Sequence, residues 1–418
     1  MPASETIPHL FRREYGKIVA VLARRFGFAH LAVAEDLASE TFLAAAETWP
    51  YRGIPANPAA WLHTVAANKA RNYLQRNALF REKIAPELSR QPASAEPDLD
   101  LSDRNVTDSQ LQMLFAICHP SIPESAQIGL ALRILCGFGI DEIADAFLTN
   151  KETVNKRLHR AKQKLRTGAV PLEVPADDQL APRLDAVLRT LYLLFNEGYY
   201  SERNEAIVRK DLCYEAVRLT YLLLRNPSTD THPTNALLSL MCFHASRLDA
   251  RLTDTGDLVL YRDQDTPLWD TGLIAKGFHY LQRASRWPVA SPYYLEASIA
   301  YWHTVKTDTP AKWESILSLY EALLRIHPTP VAELNRVYAL GRVRGYDVAL
   351  RAAERLNFRD NHFYHLLLSE LLRESDPKRA LQSLREARVL CGTETERDFL
   401  TRQIQALEGG LPDQVMLP

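Results

Sequence analysis

The sequence is poor in glycine and cysteine. Glycine fills only 16 of 418 positions. The five cysteines (Cys118, Cys136, Cys213, Cys242 and Cys391) lie far apart, and no C-x-x-C occurs. A scattered, odd-numbered set predicts reduced thiols in a cytoplasmic protein, with neither a zinc site nor a disulfide framework. No glycine fingerprint for dinucleotides, P-loop or H-E-x-x-H is present, so no cofactor or metal is expected. No apolar run reaches the roughly 18 residues of a membrane span, and the N-terminal MPASETIPHLFRREY lacks the apolar core of a signal peptide. The formal net charge is −1, so any nucleic-acid surface must be local. Strand-like alternation is nearly absent. At 46% hydrophobic content the chain predicts an all-α protein of two or three domains.

What is present centres on GFGIDEIADAFLTNKETVNKRLHRAKQKLR, residues 137–166. Ile140, Ile143, Ala144 and Phe147 keep the i, i+3, i+4, i+7 spacing of one helix face. Leu148-Thr149-Asn150 breaks the period, and Asn150 is placed to cap a second helix. There Val154, Leu158, Ala161 and Leu165 make a thin apolar seam. The positions off the seam are mostly polar or basic: Lys151, Asn155, Lys156, Arg157, His159, Arg160, Lys162, Lys164 and Arg166. A narrow seam beneath a broad cationic face suits the major groove of DNA. A Lys/Arg-rich helix is more often a solvated face, but here the preceding helix is acidic (Asp141, Glu142, Asp145), so the positive charge is concentrated on one helix.

I-x-x-I-A-x-x-F followed by T-V-x-x-R-L-x-R-A-x-x-x-L, from Ile140 to Leu165, resembles region 4.2 of bacterial sigma factors. A second stretch supports the likeness. E-D-L-x-x-E-T-F, from Glu35, and N-P-x-x-W-L-x-x-V-A-x-N-x-A, from Asn57, resemble regions 2.2 to 2.4 of the same family. The resemblance implies that Glu35, Asp36, Ser39, Glu40 and Phe42 dock on the clamp helices of the polymerase β′ subunit. It implies that Asn68, Lys69, Arg71, Asn72, Gln75 and Arg76 open and capture the minus-10 element, with polar groups for splayed bases and cations for phosphates. It further implies that Lys151, Glu152, Thr153, Asn155, Lys156, Arg157, Arg160 and Lys164 read the minus-35 element, with the β flap as the second polymerase contact. Ser39 stands where the family often has Gln. Asn72 and Gln75 stand where it often has Asp and arginine.

The domain expectation is a region 2 domain at residues 1–83, a flexible Pro/Ser/acid-rich linker at 84–104, and a region 4 domain at 105–170. With no room for a further domain between them, the resemblance is to the extracytoplasmic-function group. Residues 171–418 exceed a minimal sigma factor. The Cys118-His119-Pro120 and Phe195-Asn196-Glu197-Gly198-Tyr199 runs resemble a subgroup with a long, helical, tetratricopeptide-like C-terminal extension. Ser315 to Ile326, Tyr346 to Leu356 and Lys378 to Leu390 read as second helices of successive hairpins, with Ala349 and Ala380 near the ~34-residue period of such repeats. Residues 254–261 read as a small hairpin or extended insert. Asn196, Glu197, Asp263, Gln264 and Asp265 lack a nucleophile–base pair or metal set, so no catalytic residue is assigned. Asn196 and Glu197 read as caps, Gly198 as a turn, and His244 and His365 as core or hydrogen-bonded residues. The expectation is a cytoplasmic, non-enzymatic initiation factor for core RNA polymerase and promoter DNA, its extension binding a regulatory protein. The alternative is a helix-turn-helix regulator with a sensing or enzymatic helical domain.

Overall fold

The computed structural model describes residues 3–84, 99–147, 149–168, 170–199, 209–251, 259, 261–287, 291–392 and 394–409. The fold is all-α, and no strand occurs among the described residues. Most of the expected linker, residues 85–98, and residues 254–258 and 260 of the expected insert lie outside the described residues. The chain divides into two compact units, Met1–Leu193 and Leu194–Pro418.

The first unit begins with α1 (Ala3–Phe26), α2 (Leu31–Arg52) and α3 (Pro58–Ile84). Asn57 opens α3 by accepting the Ala60 N–H on its side chain at 3.0 Å, and Pro58 follows at the first helical position, where its missing N–H costs nothing. Tyr15, Ile18 and Leu22 of α1 are fully enclosed, as are Leu62 and Ala66 of α3. Trp49 and Trp61 meet edge-on at 5.4 Å and tie α2 to α3. Next come α4 (Asp103–Ile117), α5 (Glu124–Leu130), a π-helical turn over Ala131–Leu135, α6 (Ile140–Ala146), α7 (Lys151–Thr167) and α8 (Asp177–Tyr199). The division between the units falls inside α8.

The expected sigma-like modules share one core in this unit, because α1 packs on both α4 and the π-helical turn. The approach is closest at Gly16, where a Cβ would lie 2.3 Å from the Leu135 carbonyl oxygen. Arg12 reinforces the same seam. Its guanidinium lies 3.7 Å above the Phe138 ring and pairs with Glu142 of α6.

In the second unit α9 (Lys210–Leu223), α10 (His232–Ala245) and α11 (Thr271–Ala284) are followed by α12 (Pro292–Trp302), α13 (Pro310–Ile326), α14 (Pro330–Arg344), α15 (Tyr346–Ala353), α16 (His362–Leu372), α17 (Pro377–Leu390) and α18 (Glu394–Glu408). The helices pack on their neighbours in chain order, α12 on α13, α14 on α15 and α16 on α17. A start signal recurs: Ser291, Thr309, Thr329 and Asp376 each cap a helix with the side chain, and each is followed directly by proline. Ala349 and Ala380 are fully buried. All five cysteines are free and buried.

Two expectations need correction. Gly198 is not a turn, because it lies in the last turn of α8. Glycine is required there by crowding, since a Cβ would stand 2.7 Å from the Arg209 carbonyl oxygen and 2.9 Å from Cys213 Sγ. Asn196 and Glu197 likewise lie inside the helix and not at a cap position.

Gly16→Ala should therefore destabilise the first unit by about 1–3 kcal/mol or more, because backbone cannot give way as a side chain can. Gly392→Ala, with nothing within 4 Å of the added Cβ, serves as the neutral control. Urea unfolding of both variants checks this, and equal midpoints would remove the close approach.

Candidate nucleic-acid and polymerase interfaces

The second helix of the helix-turn-helix forms as its sequence demands. The Asn150 side chain accepts the Thr153 N–H at 2.7 Å and starts α7. Val154, Leu158, Ala161 and Leu165 are its buried residues. Lys151, Glu152, Asn155, Lys156, Arg160 and Lys164 are exposed, while Thr153 and Arg157 are half-buried beside the seam. Two surface ion pairs shape the entry to this face: Lys151 with Asp141 of α6 at 2.9 Å, and Lys156 with Glu152 at 2.6 Å. Such exposed pairs contribute little to stability and yield readily to phosphates.

On α3, Asn68, Arg71, Asn72, Gln75 and Arg76 are exposed and Lys69 is half-buried. Arg71 donates to the Asn68 side chain at 3.0 Å. Lys69 pairs with Glu40 of α2 at 2.8 Å, so two residue sets assigned to different partners touch. Asp36, Ser39 and Glu40 are exposed on α2. Phe42 is only 5% exposed and meets Phe11 edge-on at 4.9 Å. Glu35 is 9% exposed, and both its carboxylate oxygens accept from Lys162 Nζ of α7, at 2.6 and 2.7 Å. The helix expected to meet polymerase is thereby joined to the helix expected to meet DNA.

Leu43 (56% exposed) and Tyr51 (89% exposed) were missed by reading the sequence for polar residues. They extend the exposed line Asp36, Glu40, Leu43, Glu47, Tyr51, whose helical spacing puts it on one side of α2. Continuing the Asp36–Glu40 spacing along the helix finds them.

The first half of α8 packs on α4 and α5. Leu184, Val187, Leu188 and Leu191 are buried. Arg183 donates to the Phe115 carbonyl at 2.6 Å, one of the end carbonyls that α4 cannot satisfy internally. The buried Thr190 hydroxyl donates to Gln127 Oε1 at 2.6 Å, and Gln127 Nε2 in turn holds the carbonyls of His119 and Ile122. The Cys118-His119-Pro120 run is thus a turn in the seat of α8. Burial pushes the Cys118 thiol up to about 12, so it is a core group and not a nucleophile. Among the described residues no cluster of three His, Cys, Asp or Glu could hold a metal ion.

Comparison with known proteins agrees with the geometry of α1 to α3. The family model for sigma-70 region 2 matches residues 10–79. The RNA polymerase sigma factor CarQ of Myxococcus xanthus is 31% identical over 175 residues, 41% of this chain and 95% of that protein. The chain belongs to the sigma-70 family of RNA polymerase sigma factors. The sigma factor YlaC of Bacillus subtilis (strain 168) is 29% identical over 169 residues, 40% of this chain and 93% of that protein. An uncharacterized protein of Rhizobium meliloti (strain 1021) is 35% identical over 355 residues, 83% of each chain. It reaches far beyond the length that the two named sigma factors share with this one. Residues 183–285 match a family of unknown function (DUF6596), which begins at the arginine that bonds the Phe115 carbonyl. No solved structure matches. No helix among the described residues is long and apolar enough to cross a membrane.

Thr190→Val should cost this sigma factor about 1–3 kcal/mol, because Gln127 Oε1 is left buried without a donor. Thr190→Ser should restore most of it. Hydrogen exchange across residues 115–130 is the readout, and protection unchanged in the valine variant would dismiss the bond as a support of this core.

Proposed function

We propose that this sigma factor binds core RNA polymerase through α2 and promoter DNA through α3 and α7, and starts transcription without covalent chemistry of its own. The observation that carries the reading is the division of α7 into a four-residue buried seam and a broad cationic outer face. Its exposed Arg160 and half-buried Arg157 can reach phosphates or guanine edges. On α2, the exposed Asp36–Tyr51 line mixes carboxylates with two apolar side chains, the composition of a protein-docking rim and core. The polymerase would meet this line, and the α3 residues Asn68 to Arg76 would hold the opened minus-10 strand. The factor fits the extracytoplasmic-function group, and its helical second unit acts as the regulatory extension.

One geometric consequence follows. Minus-10 and minus-35 elements lie about 25 base pairs apart, roughly 85 Å at ~3.4 Å per pair. A compact unit the size of Met1–Leu193 extends over only roughly 40 Å. Both elements can be read together only when α4 to α7 part from α1 to α3, which opens the core that α1 shares with α4 as well as the Glu35–Lys162 pair. Polymerase docking on α2 supplies a competing set of contacts at the helix that carries Glu35. A regulator that binds DNA alone has no such requirement, and co-purification with core polymerase separates the two readings.

Arg160→Ala and Arg157→Ala should each weaken minus-35 binding by about 1–3 kcal/mol, with loss of sequence preference where a base contact is removed and uniform loss where a phosphate contact is removed. Duplex binding across a salt series measures this, and wild-type affinity in both variants would take α7 out of the reading. Asp36→Arg should reduce core-polymerase pull-down without lowering the melting temperature, because it reverses an exposed rim charge. Wild-type yield from the folded variant would take that side of α2 out of the interface.

A further inference from the structure

In the second unit Arg247 is only 8% exposed. Its Nε–H is sealed from solvent and has no acceptor, and no carboxylate pairs with the guanidinium among the described residues. The two Nη groups, which are not sealed in the same way, make no bond to a carboxylate among these residues and remain donors for an anion. Its surroundings are aromatic and donor-rich. The guanidinium carbon stands 5.4 Å from the Tyr261 ring centre and 6.0 Å from that of Trp269. Lys306 Nζ faces the same two rings at 5.2 and 5.6 Å, and its exposed side chain bonds the carbonyls of Tyr261 and Gln264. Two further polar atoms here are buried without partners: Trp269 Nε1 and Gln264 Oε1, in residues 6% and 7% exposed.

The nearby carboxylates are committed elsewhere or open to water. Asp308 is held by Trp313 Nε1 at 3.0 Å, Arg342 at 2.5 Å and Lys312 at 3.4 Å. Asp263 and Asp265 are exposed and act on Lys306. His303, whose ring stacks edge-on with Tyr261, is held neutral well into acid, at about 3, by burial first and then by the charges of Arg247 and Lys312. The rings are also fixed in place. The Asp270 N–H donates to the Ser246 carbonyl at 2.8 Å, joining the strands of chain that carry Trp269 and Arg247.

We propose that Arg247, Trp269, Gln264 and Lys306 form a binding site for a small oxyanion bearing a hydroxyl, either hydrogen phosphate or the carboxylate of a hydroxy acid. Arg247 and Lys306 supply the charge and the indole N–H a third donor. Gln264 Oε1 accepts the ligand hydroxyl, and the two rings wall the site from water. The exposed Lys306 marks the entrance. The site gives the second unit a chemical input that requires neither DNA nor polymerase, so its test stands apart from the promoter reading.

The test uses the full chain at constant ionic strength, with chloride exchanged for inorganic phosphate, glycolate or acetate. Tryptophan emission follows melting, because four of the six tryptophans (Trp269, Trp287, Trp302, Trp313) lie in the second unit. Phosphate or glycolate should give a saturable rise, roughly 5–10 °C at a hundredfold excess over Kd, with acetate weaker for want of a hydroxyl. Which of the two acts distinguishes a phosphate source from a hydroxy acid. Arg247→Met should abolish the response, since it removes the guanidinium donors and keeps a side chain of similar length. Trp269→Phe, a second variant that keeps the wall, should weaken binding about tenfold. No saturable change with any of the three probes, or an undiminished response in Arg247→Met or, should that variant fail to fold, in Trp269→Phe, overturns the proposal.

Discussion

A carboxylate that has lost nine tenths of its contact with water needs a cation beside it, and Glu35 finds Lys162. Much of the first unit follows from that requirement. Lys162 borders the Val154–Leu158–Ala161–Leu165 seam, so holding it against α2 fixes the rotation of α7 about its axis. The same rotation turns Asn155, Lys156 and Arg160 to the outside. Arg12 does similar work across the neighbouring seam, with Phe138 below it and Glu142 beside it. Ionic contacts of this kind are specific in geometry and modest in net energy, because desolvation offsets much of the attraction. The apolar packing of α1 on α4 and the π-helical turn holds the two modules together, and the ion pairs set the register in which they meet.

The seat of α8 works on a different principle. Thr190, Gln127 and the Phe115 carbonyl are neutral groups sealed from water, and their worth lies in what an unmade bond would cost. The packing of α4 and α5 therefore depends on residues beyond the helix-turn-helix. The two named sigma factors align over nearly all of their own length with under half of this chain.

The helix-turn-helix was legible because its signals are local. The 3.6-residue period of Val154 to Leu165, the break before Asn150 and the cap at Asn150 all act within one turn of where they are read. The all-α class was legible for the same reason. The joining of Glu35 to Lys162 was not, because 127 residues separate two side chains that each look like ordinary surface charges. Phe42 and Leu43 show the limit within a single helix: the motif drew attention to the phenylalanine, while the core took it and left the leucine in water. Gly198 misled because glycine serves turns and crowded helix contacts alike, and only the position of Arg209 and Cys213 distinguishes them. Arg247 carried no signal at all, since its oddity is the absence of a carboxylate partner among the described residues. The recurrent Ser/Thr/Asp-Pro starts of α12, α13, α14 and α17 are local signals of the same kind as the Asn57-Pro58 start of α3.

The five native thiols have a practical meaning for anyone who wishes to watch this molecule move. Each is buried, and burial holds those of Cys118, Cys213 and Cys242 at about 12, far above the range in which a thiolate attacks a maleimide. The wild-type chain is thus chemically silent toward thiol dyes while it stays folded. A single cysteine placed on an exposed position of α7, with another on the outer side of α3, becomes an addressable pair without stripping the background. The distance between two dyes then reports directly whether the halves of the first unit are together or apart.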